Sequence, residues 1–369
     1  MNPQISEISE NNAIYQFTLS NLNVSLANAV RRIILCEIPT VIIQTEIHAT
    51  NQCHITINTS RIHNEMIKQR LSCIPIHSTE LAQLPGNYML EVDVKNDTDN
   101  VMFVTTENFK IRNKTNGNYL KREEVQRIFP PCTLAGGSYI DFVRLRPKIS
   151  DAIPGEQLKL TAEFSVGNAG MNSMFNVVSK CTYGNTPDRE KIAEVWQKQE
   201  DQLRTQDNIK ESDIEFKKKN FMLLDAQRIF KDDSFDFQIQ TVGVYDNRTI
   251  VKMGAKILYE KFLQMVENLD ANLVPILNSE TTMDFSFDVL LENEDFTMGK
   301  VIEYFLYEKY YLQEKTLSFC GFKKFHPHDT KSTVRIAFSE TADKSMAKQY
   351  VRTACMDAHE FYKNIYKLF

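Results

Sequence analysis

Few stretches of this 369-residue chain bring reactive side chains close together. His326 and His328 flank a proline and precede Asp329, so "HPHD" offers two imidazoles and a carboxylate that could approach one ion. A His-x-His pair without a further ligand cluster falls short of the set that holds zinc, and the preferred reading is a polar loop between strands. The seven cysteines, Cys36, Cys53, Cys73, Cys132, Cys181, Cys320 and Cys355, are scattered singly with no C-x-x-C pair. That spacing predicts reduced thiols, no disulfide and no cysteine-rich metal site. No G-x-x-x-x-G-K, G-x-G-x-x-G, H-E-x-x-H or G-x-S-x-G occurs, and twelve glycines leave little material for phosphate-cradling loops. No catalytic residue, metal or cofactor is expected. What remains is Arg31 beside Arg32 in "NVSLANAVRRIILCEIPTV". A planar guanidinium can hold carboxylates or backbone carbonyls in a fixed orientation, so the chemistry on offer is recognition.

The element under those arginines reads as a helix. Leu26, Ala29, Val30, Ile33 and Ile34 recur at helical spacing, Ser25 is a candidate N-cap, and Pro39 ends the run. Arg31 and Arg32 lie about 100° apart around such a helix, so with the stripe packed inward at least one of them points away from it. Left to itself an arginine pair of this kind is a solvated surface feature. "AIYQFTLSNL" before the helix and "TVIIQTEIHA" and "CHITINTS" after it read as strands, and "NEMIKQRLSCIPIH" as a short helix halted at Pro75.

Further on, "YMLEVDVKN", "DNVMFVTT", "YIDFVRLRP" and "QLKLTAEFSV" alternate with turn clusters, which predicts a mainly β domain over 85–184 inserted into the first. Residues 185–234 form a charged excursion with the only tryptophan, Trp196, read as a solvated helix and loop or as a docking surface. "SFDFQIQTVG" is a strand and "NRTIVKMGAKILYEKFLQMVENL" a long helix whose stripe includes Leu258 and Phe262. After a linker at 273–282, "MDFSFDVLLENEDFTMGKVIEYFLYEKYY" repeats the opening design, with Thr297 where Ser25 stood and Met298, Val301, Ile302 and Phe305 as the stripe. Two further strands and a long terminal helix complete a second copy over 283–369. An α+β fold present twice, as an internal pseudo-dimer with one β insertion, is the expectation, although chance similarity of short capped helices would produce the same pattern.

Composition narrows the function classes. The 42% hydrophobic content suits a chain that buries two or three compact domains. A net charge of −5 argues against wrapping nucleic acid by bulk electrostatics. No apolar run reaches the roughly 18 residues of a membrane span, and "MNPQISEISENN" has no basic start, so an intracellular chain is expected.

"LSNLNVSLANAVRRIILCEIPTVIIQTEIHATN" closely resembles the assembly motif of the larger alpha-type subunit of multisubunit DNA-directed RNA polymerases, namely the bacterial alpha amino-terminal domain, the archaeal D subunit and the eukaryotic third-largest subunit. "NTSRIHNEMIKQRLSCIPI" is similar to the next signature of that family, and "FDFQIQTVGVYDNRTIV" to its return strand and dimerisation helix. "ENEDFTMGKVIEYFL" and "FCGFKKFHPHD" resemble the smaller partner, archaeal L or the eukaryotic eleventh subunit. The resemblance implies an alpha amino-terminal-domain-like dimerisation fold, with 1–84 and 235–272 as the D-like half and 283–369 as the L-like half. It implies a subunit fusion of the kind found in large DNA viruses, acting in the host cytoplasm, with the virion as a further place it could be carried. It further implies a non-catalytic assembly platform for the beta-like and beta-prime-like subunits, with small polymerase subunits as further partners and nucleic acid touched only through the complex. By motif match the partner-binding residues would be Asn28, Arg31, Arg32, Glu37, Glu65 and Arg70. Leu26, Ala29, Val30, Ile33, Leu258, Phe262, Met298, Val301, Ile302 and Phe305 would form the intramolecular interface. The chain has neither the four-cysteine zinc loop nor the iron–sulfur domain that some of those subunits carry. The alternatives are a free-standing regulator that mimics the platform and captures polymerase subunits, and an enzyme with a site in the β insertion.

Overall fold

Gln4–Asn11 and Ile14–Ser20 pair as an antiparallel hairpin, β1 and β2, at one edge of a four-stranded sheet. The computed structural model describes residues 2–133, 136–150, 152–205, 210–280 and 283–369. In β2 the rings of Tyr15 and Phe17 and the side chain of Leu19 turn inward, as alternation predicts. β1 has no such signal in its sequence: it is mostly exposed, and a bulge with Glu7 at φ 49° bends it. Helix α1, Val24–Cys36, follows. Its cap is Asn23 rather than Ser25: the Asn23 Oδ1 accepts the Ser25 amide at 2.9 Å and the Asn23 carbonyl accepts those of Leu26 and Ala27. Ser25 already lies inside the first turn, where its side chain cannot serve the amides ahead of it.

The chain next builds β3 (Thr40–Ile42), β4 (Cys53–Asn58), α2 (Asn64–Ser72), β5 (Tyr88–Lys95), β6 (Met102–Thr105), β7 (Lys110–Asn113), α3 (Arg122–Ile128), β8 (Asp141–Leu145), β9 (Gln157–Glu163) and β10 (Ser165–Gly167). The main sheet runs β4-β9-β5-β7, with β6-β8 and β3-β10 as two-stranded pairs. Leu90, Val92, Ile111, Phe142, Leu158 and Leu160 are among its buried core. Contacts gather Ile34–Ser179 with Thr241–Ile250 into one unit, and Met1–Ile33, Lys180–Gln240 and Val251–Phe369 into the other. The sequence reading placed the start of the inserted domain at 85. The unit begins earlier because β4 hydrogen-bonds along β9 and so draws 53–72 into the insert's own sheet. "TVIIQTEIHA" contributes only three strand residues, matching the three-residue β10 that pairs with it.

Beyond the insert come β11 (Val178–Pro187), α4 (Arg189–Arg204), α5 (Glu211–Leu223), β12 (Phe230–Thr241), α6 (Asn247–Asp270), β13 (Ile276–Asn278), β14 (Ser286–Glu292), α7 (Phe296–Leu306), β15 (Leu317–Lys323), β16 (Lys331–Phe338) and α8 (Lys344–Leu368). The charged excursion forms two helices rather than a helix and loop. Trp196, Ile214, Phe221 and Ala226 give them a small core, and the Trp196 indole donates to Glu200 at 2.7 Å.

The unit formed by Met1–Ile33, Lys180–Gln240 and Val251–Phe369 has two halves that share one topology. The first sheet is ordered β1-β2-β12-β11 and the second β13-β14-β16-β15. Matching β1 to β13, β2 to β14, β11 to β15 and β12 to β16 puts α1 opposite α7 and α6 opposite α8, so the chain order repeats element by element. The insert lies between α1 and β11, and the helical excursion between β11 and β12. The repeat extends to the entry turns. Asn21 and Asn293 both have positive φ (63° and 58°), and Asn23 and Asp295 two residues later are the helix caps. Asparagine is one of the few side chains that enters the left-handed region at low cost. The expected linker is part of this repeat, because Ile276–Asn278 pairs with β14 as the second sheet's edge strand. Residues 281 and 282 lie outside the described residues.

Leu26, Ile33, Leu258, Phe262, Met298, Val301 and Ile302 are fully buried, and Ala29 and Val30 are 1% exposed. Phe305 is the exception among the expected interface residues: it is half-buried, its ring 6.3 Å from that of Phe361, and Leu306 completes the stripe instead. Leu306 stands four positions after Ile302 just as Phe305 stands four after Val301, so helical spacing alone does not separate the two. Rings cross between the halves: Phe262 stacks on Tyr362 at 5.8 Å, and the terminal Phe369 meets Phe17 edge-on at 5.0 Å. In the second half Gly299 lets α7 lie against β15, since a Cβ there would stand 2.0 Å from the Phe322 ring.

Burying each large apolar side chain contributes roughly 1.5–3 kcal/mol before entropic costs, whereas a tether chiefly raises effective concentration to about the millimolar range. Cutting the chain between Leu273 and Val274, ahead of β13, is therefore expected to leave two co-expressed fragments that elute as one heterodimer in size-exclusion chromatography. Val301→Asp in the smaller fragment should separate them, because it buries an unpaired carboxylate. Fragments of the unsubstituted chain that fold and elute apart at micromolar concentration would contradict the internal dimer.

Candidate functional site

Arg31 and Arg32 do different things. The Arg31 Nε and Nη2 donate to Asn28 Oδ1 at 3.0 and 2.8 Å, one turn back on α1, and both residues are half-buried. The charge of Arg31 reaches β11. Burial pushes the Cys181 thiol up to about 12 and raises the Tyr183 phenol, and the guanidinium opposes both. Arg32 crosses to the second half. Its Nε donates to Thr297 Oγ1 at 2.8 Å, and its Nη2 is bonded to the Asp295 carboxylate. The sequence reading gave Arg32 to an outside partner. Its fork is instead occupied within the chain, because α1 runs to the start of α7, where a capping carboxylate and a hydroxyl lie side by side.

Asp295 therefore has two tasks. Its Oδ1 accepts the Thr297 amide at 2.8 Å, capping α7, while Oδ2 receives Arg32. Burial alone would raise its pKa. The hydrogen bonds from Thr297 and the Arg32 charge outweigh that and hold the carboxyl below the usual range. More bonds cross the same interface. Lys261 pairs with Glu294 at 3.1 Å, Arg352 forks onto Asp270 at 2.8 and 3.0 Å, and Lys348 donates to Asn272 at 2.8 Å. The buried Tyr362 hydroxyl donates to the Leu26 carbonyl at 3.2 Å. Asp295 and Tyr362 were missed as interface residues. The signal for Asp295 was available in the repeated Asn-x-Asn/Asp-x-Ser/Thr of residues 21–25 and 293–297. Tyr362 carried no comparable mark, since a tyrosine on a long helix is as often half-exposed as buried.

Glu37, Glu65 and Arg70 belong to the other unit. The guanidinium of Arg70 donates to the carbonyls of Phe142 (2.8 Å) and Asp141 (2.7 Å) and so ties α2 to β8. Arg70 thus supports the insert's fold, because its fork matches two successive carbonyls. Glu65 is exposed on the first turn of α2, its carboxylate 3.8 Å from His63 Nδ1, and Glu37 is half-buried. In "HPHD" the two rings are 5.2 Å apart, but Asp329 accepts the His326 amide, and no cluster of three or more His, Cys, Asp or Glu among the described residues is placed to hold a metal. None of the cysteines at the described positions is in a disulfide.

The family model for the RNA polymerase Rpb3/Rpb11 dimerisation domain matches residues 16–262. A conjugation stage-specific protein of Tetrahymena thermophila is 24% identical over 302 residues, which span 70% of this chain and 92% of that protein. DNA-directed RNA polymerase II subunit RPB3 of Schizosaccharomyces pombe is 36% identical over 81 residues, 22% of this chain and 24% of that subunit. DNA-directed RNA polymerases IV and V subunit 3B of Arabidopsis thaliana is 40% identical over 63 residues, 17% of this chain and 18% of that subunit. The chain thus matches nearly the whole of the first relative and a quarter or less of the two polymerase subunits.

The Asp295 geometry sets a pH dependence. A carboxyl whose folded pKa lies below its unfolded value of about 3.9 stabilises the fold above that value, and the contribution is lost as pH falls through the folded pKa. Thermal denaturation between about pH 6 and 3 should show the wild type losing more stability on acidification than Asp295→Asn, which keeps the cap but has no charge to lose. Equal slopes for the two proteins would mean that the Arg32–Asp295 bond does not contribute.

Proposed function

The chain belongs to the RNA polymerase Rpb3/Rpb11 dimerisation-domain family, and from that premise we propose that it is a non-catalytic assembly subunit of a DNA-directed RNA polymerase in which both dimerising partners are fused. The observation that carries the proposal is the repeat. The family match ends at residue 262, and the chain beyond it supplies a second sheet of the same strand order, joined to the first half through Arg32, Asp295 and Thr297. One chain then presents what the family resemblance assigns to two. The D-like half would hold the beta-like subunit and the L-like half the beta-prime-like subunit, with nucleotidyl transfer in those partners, small subunits as further contacts and nucleic acid met only through the complex.

Within that reading Arg31 is the leading contact to the beta-like subunit. Its bonded neighbour is the neutral amide of Asn28, so its charge remains available to a carboxylate or carbonyl of a partner, and Glu37 and Glu65 are further contacts. Arg70 is a weaker choice because its fork is engaged. No helix among the described residues is long and apolar enough to cross a membrane. The fused arrangement favours a source in a large DNA virus, with the chain acting in the host cytoplasm.

Affinity purification of the tagged full chain from its native cell, followed by mass spectrometry, tests the proposal. Stoichiometric recovery of two large polymerase subunits with RNA synthesis activity is expected. Recovery of large subunits without activity would favour a regulator that mimics the platform, and nucleotide turnover by the isolated chain would favour an enzyme. Arg31→Glu should cut recovery of the beta-like subunit about tenfold or more with unchanged melting, since reversing charge at a desolvated contact typically costs 2 kcal/mol or more, roughly. Arg70→Ala should instead lower stability by about 1–3 kcal/mol through its lost hydrogen bonds. Undiminished capture by the Arg31 variant would remove that contact from the account.

A further inference from the structure

A groove of about 620 Å³ lies on the second half between the end of α7 and α8, within the roughly 300–1,000 Å³ range of ligand-binding clefts. Its floor is aromatic: Phe361 is buried, and Tyr304 and Phe305 are half-buried. Its walls are acidic. Glu308, Glu314, Asp357 and Glu360 line it together with Asn2, and among the described lining residues the one cationic side chain is Lys309, which pairs with Asp357 at 3.4 Å. Three carboxylates therefore remain in excess around an apolar floor. Burial, and after it the Glu308 charge, raises the Tyr304 phenol to about 12.

The backbone beside the groove is unusual. Tyr307–Gln313 leaves the α-helix for a π-helix, and the Glu314 amide reaches the Lys309 carbonyl five residues back. π-Helical turns are rare and are found frequently at functional sites. Here the widened turn carries Glu308, Lys309 and Gln313, and Glu314 follows at its end, all on the groove wall.

We propose that this groove is a docking site for a basic segment of a partner polypeptide, one that sets arginine or lysine beside an apolar side chain. The apolar side chain would fill the floor over Phe305 and Phe361. The cation would sit against the Tyr304 ring, where cation–π attraction adds to the carboxylates of Glu308 and Glu360. Charge complementarity selects this occupant. Nucleic acid and acidic peptides meet the excess carboxylates as like charges, and a purely apolar helix would leave them unpaired. The inference does not depend on the complex that the chain joins, because it concerns a surface of the isolated protein.

Fluorescence anisotropy with the full chain tests it, using a labelled peptide that alternates arginine and leucine, and its glutamate–leucine counterpart as control. The basic peptide should bind, the acidic one should not, and Glu308→Lys with Glu360→Lys should weaken binding about tenfold or more. Glu123→Lys with Glu215→Lys changes net charge equally at exposed sites elsewhere and should leave binding near the wild-type value. Glu308→Gln with Glu360→Gln serves if the reversed variant does not fold, and should weaken binding in the same direction. Unchanged binding by the groove variants would overturn the proposal, as would an equal loss in the distant control, which would reduce the effect to bulk charge.

Discussion

The bond from Arg32 to Asp295 and Thr297 fixes the end of the first half's helix α1 against the start of the second half's α7, and the unit's other contacts are consistent with that one alignment. The apolar stripe of α1 has no lasting shelter on a single four-stranded sheet and its own long helix. It is buried once α8 brings Tyr362 to the Leu26 carbonyl and Phe369 to Phe17. Apolar burial supplies most of the driving force and is indifferent to small slides. Charge-assisted hydrogen bonds are directional and select one register.

The same bond has a specificity consequence. The capping position that receives Arg32 is Asp295 in the second half, but its counterpart in the first half is Asn23. Two copies of the first half, docked with equivalent geometry, would place each Arg32 against a neutral amide. The positions matching Arg31 and Arg32 in α7 are Glu303 and Tyr304, so the second half has no arginine to offer in return. Unlike halves are favoured over like ones by what each lacks, which is specificity by omission as well as by attraction.

Much of this was legible in the sequence, and the reasons differ by element. α1, α6, α7 and α8 were readable because each carries a helical stripe with a polar start. The duplication was readable because strand, turn and capped helix recur with the same residue classes. β1 was not, since an exposed, bulged edge strand has neither apolar alternation nor β-branched density. The cap on α1 was misplaced by two residues because Ser25 and Asn23 are both good capping types, and only the backbone decides between them. Arg32 and Arg70 were read as outward-facing because a guanidinium's stem is long enough to turn toward solvent, a partner or its own chain. Which it chooses depends on Asp295, Asp141 and Phe142, all distant in sequence. The pairing of β4 with β9, across a hundred residues, is likewise a tertiary fact that no local pattern announces.

The most direct measurement is a double-mutant cycle on Arg32 and Asp295, with unfolding free energies from chemical denaturation of wild type, Arg32→Ala, Asp295→Ala and the double variant. Both side chains are partly exposed, 33% and 39%, so solvent screens the pair and the coupling should be well below that of a fully buried one. A coupling of about 1 kcal/mol is expected, because the pair combines a charge with a shared hydrogen-bond network. Single-site losses that add within about 0.3 kcal/mol would contradict the account, since they would mean that Arg32 and Asp295 do not act as one contact between the halves.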